Sequence, residues 1–178
     1  MLTFMMHTLR KEQQFMIYEL WADGACSKNG KDGAVGGWGF VLIQKGKGII
    51  AEQSGGEIGA TNNQMEMRGI IEGLKYLTNQ TSFTGFDECV VFTDSAYIHN
   101  CYEQKWYKSW QRYNWLNSQK KPVANKSLWL ELIPYFEDTH IQWKKVRGHI
   151  GIDYNERVDK LAVKARKKIE GEVVNGNS

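Results

Sequence analysis

The spacing of apolar residues changes period along this chain, and the order of those changes restricts it to few folds. From Met16 to Asp23 polar and apolar residues alternate in a run rich in Ile, Tyr and Trp that ends at Gly24, the pattern of a strand. The polar, glycine-rich stretch Ala25 to Gly37 reads as its loop. Gly39 to Gln44 and Gly48 to Gln53 read as two further strands joined by a Lys-Gly turn around Gly46, so the first third forms an antiparallel meander. From Asn63 the period becomes helical, with Met67, Ile70, Ile71, Leu74 and Leu77 on one stripe. Glu88 to Thr93, with the short apolar run CVVF, reads as a buried strand that ends at Asp94; a short helix follows from Ala96 to Tyr102. The pattern SLWLELIPYF is helical up to Pro134, and Ile141 to Val146 is a fifth strand. Val158, Leu161, Ala162, Ala165 and Ile169 form the stripe of a last helix, leaving GEVVNGNS as a frayed tail.

Three strands, a helix, a strand, helices, a strand and a helix make an α/β protein with a mixed sheet flanked by helices. At 178 residues, without an obvious linker or an internal repeat, the chain is expected to form one domain over residues 16–170, with an extension at 1–15 and a flexible tail at 171–178. No apolar run approaches the roughly 20 residues that span a bilayer, so no membrane association is expected. The first fifteen residues are apolar and then basic, the reverse of a secretory signal. A loose extension, an organellar targeting segment and alternative starts at Met5, Met6 or Met16 all stay open. Cys26, Cys89 and Cys101 are an odd number without a CxxC pair, which argues against a disulfide framework or a thiolate zinc site and favours a reducing compartment, the cytoplasm.

Twenty acidic residues mostly describe a solvated surface, yet four stand at informative positions. Asp23 closes a strand and precedes Gly24, as an ordinary turn Asp would. Glu66 has capping-box spacing from Asn63, Asp94 could cap the helix that begins at Ala96, and Asp159 could pair with a neighbouring Lys. Taken together, two lie at strand ends and two at the margins of helices that pack on the same sheet, so they can converge. Converging carboxylates repel one another and stay ionised only beside cations; oxygen ligands suit Mg²⁺ or Mn²⁺.

A net charge of +3 does not itself imply a nucleic-acid partner. Its distribution does: between Gln104 and Leu130 stand Lys105, Lys108, Arg112, Lys120, Lys121 and Lys126 with no acid, interleaved with Trp106, Tyr107, Trp110, Tyr113 and Trp115. Core tryptophans with a solvated basic face explain part of this, in particular Trp106 and Trp115; the absence of acids points to phosphate contact.

The segments WADGAC (Trp21 to Cys26), ATNNQMEM (Ala60 to Met67), FTDSAY (Phe92 to Tyr97) and VRGHIGIDYNERVDKLA (Val146 to Ala162) resemble, in order and approximate spacing, the signature segments of type 1 ribonuclease H, bacterial-like with a basic protrusion. The resemblance spans about Ile17 to Ala165 and implies that family's mixed five-stranded sheet, three antiparallel strands followed by parallel ones. It implies an endoribonuclease that cuts the RNA strand of RNA·DNA hybrids by two-metal-ion catalysis, leaving 5′-phosphate and 3′-hydroxyl ends. Its metal-binding carboxylates fall on Asp23, Glu66, Asp94 and Asp159, holding two Mg²⁺ ions with Mn²⁺ as a substitute, and its loop histidine falls on His149. By the same resemblance Asn29, Thr61, Asn62 and Asn63 would contact phosphates, sugars or 2′-hydroxyls, while the protrusion, with Trp106, Trp110, Arg112, Lys120 and Lys121, would grip the DNA strand. One departure is Ala96, where the family often has Gln. A monomer without an obligate protein partner is expected. The alternatives are a related nuclease or strand-transfer enzyme of the same fold and a non-catalytic hybrid-binding module. The Asn-Asn-x-Met-Glu helix start with the Gly-His-x-Gly loop argues against the former, and the unsubstituted carboxylates against the latter.

Overall fold

The computed structural model describes residues 15–146 and 153–176, with side chains as far as Val174. Its elements run β1 (Ile17–Ser27), β2 (Val35–Gln44), β3 (Gly48–Ile58), α1 (Asn62–Gln80), β4 (Glu88–Thr93), α2 (Ala96–Glu103), α3 (Trp106–Arg112), α4 (Lys126–Glu137), β5 (Ile141–Lys145) and α5 (Asp153–Gly176). The strands form one sheet in the order β3-β2-β1-β4-β5, antiparallel across β3-β2-β1 and parallel across β1-β4-β5. This is the expected mixed five-stranded α/β sheet. Among the described residues no helix is long and apolar enough to cross a membrane.

Alternation along β1 turns Tyr18, Leu20 and Ala22 to one face, where they meet Phe40 and Leu42 of β2, the α1 stripe and Leu128, Trp129 and Leu132 of α4. Each fully buried Leu or Ile on that stripe contributes roughly 2 kcal/mol of transfer free energy. Trp21, Val41 and Ile43 turn to the other face and pack under Val158 of α5. Glycines permit that contact: a Cβ at Gly37 would stand 2.2 Å from the Ala162 carbonyl oxygen, and one at Gly39 would stand 2.6 Å from Leu161 Cβ.

Several boundaries differ from the sequence pattern. β1 does not stop at Asp23–Gly24 but runs to Ser27, and the turn lies beyond it, where Lys28, Asn29, Gly30 and Gly33 adopt positive φ. β2 begins at Val35 and β3 extends to Ile58, so the hairpins are longer than the alternating runs indicate. α4 does not end at Pro134 but continues to Glu137, because Ile133 and Phe136 on either side are buried and hold the last turn despite one lost backbone bond. α5 likewise continues past Ile169 to Gly176, through residues assigned to the tail; Gly171 inside it meets no neighbour, and its cost of about 1 kcal/mol is tolerated.

Candidate active site

Asp23 pairs with Gly39 across β1 and β2, on the α5 face of the sheet. Continuing the β1–β4 register beyond Trp21 and Phe92 puts Asp94 beside it, and two residues back on the same strands the rings of Trp21 and Phe92 stack 4.2 Å apart. Glu66 comes from the first turns of α1. That helix rests on β1 only because residue 24 is glycine, whose Cβ would otherwise lie 2.4 Å from the Glu66 amide nitrogen. Asp159 stands on α5, half-buried, one residue beyond the buried Val158 that seats the helix.

The electrostatics tie the four together. Asp23 is 7% exposed, and burial, then the charge of Asp94, push its carboxyl from the ordinary 3.8 up to about 7, with Asp159 and Glu66 adding to the rise. The Gly24 amide, donating to Asp23 Oδ1 at 2.7 Å, pulls the other way. Glu66 is also raised, by burial first and by Asp94, against a hydrogen bond from Ser95. An oxygen-only donor set whose charges oppose one another suits a hard divalent cation. Among the described residues no three acids, imidazoles or thiols stand within reach of a single ion, and a hard cation such as Mg²⁺ is commonly held by one or two carboxylates with water completing its shell. Cys89 and Cys101 are no competing ligands: burial pushes both thiols up to about 12.

The capping explanations for Glu66 and Asp94 do not hold. The α1 capping box is formed by Thr61 and Gln64: Thr61 Oγ1 accepts from the Gln64 amide at 3.3 Å and Gln64 Oε1 from the Thr61 amide at 2.8 Å, which leaves Glu66 outside it. The Thr-x-x-Gln pattern was readable in the sequence. Ser95, not Asp94, caps α2. The nearby polar residues assemble as well, since Asn29 Oδ1 accepts from the Asn62 amide at 2.9 Å and joins the β1–β2 loop to the start of α1. The Asn62 and Asn63 side chains make no hydrogen bond among the described residues.

Trp106, Trp110 and Lys120 line a separate groove with Ser109, Tyr113 and Asn117. Trp106, Trp110 and Trp115 are half-buried against the main core, as their packing role requires, whereas Arg112, Lys120 and Lys121 are exposed. No described hydrogen bond or ion pair joins this groove to the carboxylates. His149 lies outside the described residues.

A profile of the RNase H family matches residues 14–167. The chain is 42% identical over 152 residues to the ribonuclease H of Caldanaerobacter subterraneus subsp. tengcongensis, covering 85% of this chain and 92% of that protein. It is 40% identical over 153 residues to the ribonuclease H of Hydrogenovibrio crunogenus, covering 86% and 97%. Among solved structures, LC9-RNase H1, a type 1 RNase H with the type 2 active-site motif, superposes with a TM-score of 0.71 at 27% identity, covering 87% of this chain and 74% of the other. LC11-RNase H1 in complex with RNA/DNA hybrid shares the fold, with a TM-score of 0.55 at 16% identity and coverage of 85% and 98%. Most of the chain is thus matched in sequence and in fold, and the chain belongs to the ribonuclease H family of hydrolases acting on RNA.

Proposed function

We propose that this chain is an endoribonuclease that hydrolyses the RNA strand of RNA·DNA hybrids and leaves 5′-phosphate and 3′-hydroxyl ends. One observation carries the reading: buried Asp23 on β1 is brought beside Asp94 by the β1–β4 register and beside Glu66 by the seating of α1 on Gly24, within reach of the Asp159 charge. The LC11-RNase H1 complex with RNA/DNA hybrid supports the choice of substrate.

Asp23 would be shared by two Mg²⁺ ions, with Glu66 and Asp94 on one and Asp94 or Asp159 on the other; Mn²⁺ could replace them. Bound there, the ions would lower the pKa of water and stabilise charge on the attacking and leaving oxygens of an in-line displacement. The protein's part would be to hold the carboxylates against their mutual repulsion, a task that the Trp21–Phe92 stack and the close glycine contacts of α1 and α5 would serve through packing. His149 would move a proton or help release the cut phosphate, tasks to which an imidazole is suited.

Asn29, Thr61, Asn62 and Asn63 would contact phosphates, sugars or RNA 2′-hydroxyls; Asn29 Oδ1 and Thr61 Oγ1 already accept from backbone amides, and the Asn29 side-chain N–H groups and the Thr61 hydroxyl hydrogen can still donate. Trp106, Trp110, Arg112, Lys120 and Lys121 would hold the DNA strand, with a steep salt dependence. The enzyme would act as a monomer in the cytoplasm, with residues 16–170 as the working domain. The test offers matched RNA·DNA, RNA·RNA and DNA·DNA duplexes with Mg²⁺ to the native chain and to Asp23→Asn. Cleavage of the hybrid alone, lost in the variant, is expected; an uncut hybrid overturns the function, and a variant that still cuts overturns the site. His149→Ala should turn over more slowly, and unchanged turnover would remove its role.

A further inference from the structure

Between Asp159 and Glu170 the last helix carries Lys160, Lys164, Arg166, Lys167 and Lys168 and no acid. Helical spacing sorts them. Lys160, Lys164 and Lys167, at i, i+4 and i+7, share one exposed face. The fold does not use that face, since Val158, Ala162 and Ala165 on the opposite side are the residues buried against the sheet. Nor is its charge neutralised. Lys160 has Glu156 at 3.8 Å, a loose exposed pair, and among the described residues Lys164 and Lys167 have no acidic partner within 4 Å; Arg166, by contrast, is paired with Glu170 at 3.0 Å. The three lysines and Val163 line a shallow groove of about 360 Å³, and its remaining wall is Asp159.

A carboxylate of the candidate site and an unneutralised lysine row therefore share one surface. The aromatic, basic region of α3 belongs to the other side of the sheet, where Trp106 and Trp110 pack against the α1 and α4 core. Basic surface thus stands on both sides of the carboxylates. A duplex has two backbones, and the α3 side has been assigned one of them.

We infer that Lys160, Lys164 and Lys167 bind the other: they form a second phosphate-binding surface that takes the backbone of the RNA strand next to the cleavage point. This rests on the hybrid-cleavage reading above. The dimensions fit. From Lys160 to Lys167 the helix rises about 10 Å at 1.5 Å per residue, the axial span of about three phosphates of one strand at 3.4 Å each. The strand assignment follows from Asp159, which lies on the same helix and in the same groove and acts on the strand that is cut.

The experiment compares the native chain with Lys160→Gln/Lys164→Gln/Lys167→Gln, the matching triple Lys→Arg variant, and Lys45→Gln/Lys47→Gln on the turn at the far end of β2. Binding of a fluorescein-labelled RNA·DNA hybrid is read by anisotropy in EDTA from 50 to 200 mM salt, and cleavage is read separately with Mg²⁺. Losing three phosphate contacts should flatten the log Kd against log salt slope by about 2.7, so that the advantage of the native chain shrinks on the order of 40-fold across that range. The kcat at saturating hybrid should stay within about twofold. Arginine should restore the slope, and the Lys45/Lys47 variant should leave it unchanged. Neutral methylphosphonate linkages in the RNA strand should erase the difference between native and triple Gln proteins, and the same linkages in the DNA strand should not. An unaltered slope, an equal loss per charge in the Lys45/Lys47 variant, or erasure by the DNA-strand linkages overturns the inference. A native chain that binds with the expected slope but cuts no hybrid sinks the cleavage reading instead.

Discussion

Replacing Asp23 with Asn should abolish cleavage and at the same time make the cation-free protein more stable. Burial and the neighbouring carboxylates raise Asp23 to about 7, so between its ordinary 3.8 and about 7 the folded chain holds a proton that the unfolded chain has released. The folded state binds more protons, and stability therefore falls as pH rises through that window. The full penalty at pH 8 is on the order of 4 kcal/mol, from 1.4 kcal/mol for each tenfold in proton affinity; at pH 5 it is less than half of that and at pH 3 close to zero. Asn has the same shape, carries no charge to desolvate, and its Oδ1 can still accept the Gly24 amide bond seen at 2.7 Å. Urea unfolding in EDTA, followed by tryptophan fluorescence from pH 4 to pH 8, should show two curves that diverge with rising pH, the variant lying above. Mg²⁺ should then raise the native curve at pH 8 by mass action and leave the variant nearly unmoved. Curves that run parallel over the whole range, or a variant less stable at pH 8, would refute the idea that the Asp23 charge is held in a strained environment.

Two further substitutions probe how the site is held. Gly37→Ala drives a methyl group to 2.2 Å from the Ala162 carbonyl oxygen, and backbone cannot yield as a side chain can; we expect a loss of about 2–3 kcal/mol in chemical denaturation, with reduced cleavage because α5 carries Asp159. An unchanged midpoint would show that α5 moves freely over the sheet. Thr61→Ala removes one half of the α1 capping box, for about 1 kcal/mol, and Thr61→Ser should restore most of it; equal midpoints for Ala and Ser would mean that the hydroxyl does not cap the helix.

The parts of this fold that were legible in the sequence are those fixed by local periodicity. The α1 stripe, β4 and the antiparallel meander of β1 to β3 follow from which residues alternate and which recur at helical spacing, whereas the parallel pairing of β4 and β5 came from the resemblance to ribonuclease H. The misplaced boundaries share a different origin. Asp23–Gly24 has the composition of a turn, but Gly24 is glycine because a helix forty residues away presses its backbone there. Pro134 and Gly171 have the composition of helix ends, yet α4 persists through its buried flanks and α5 runs on. At Gly24 and Pro134 a tertiary contact decides between two readings that local chemistry leaves equal; no neighbour of Gly171 among the described residues explains why α5 runs past it.

The same holds for the carboxylates. A cap, a turn and a surface pair were each sufficient explanations for one acid taken alone, and Thr61, Gln64 and Ser95 were close enough in sequence to be confused with them. What separates the two sets is that Thr61 and Gln64 satisfy each other at the start of their own helix and Ser95 caps α2 while also reaching Glu66, whereas the charges of Glu66, Asp94 and Asp159 are felt at Asp23 from other parts of the chain. Charge brought together from four elements against its own repulsion costs stability, and a chain retains such a cost where function requires it. The lysine row on α5 fits that logic from the opposite side. It adds nothing to packing, it lies beside the one acid of the four that α5 contributes, and its cations are available to a polyanion that the carboxylates alone would repel.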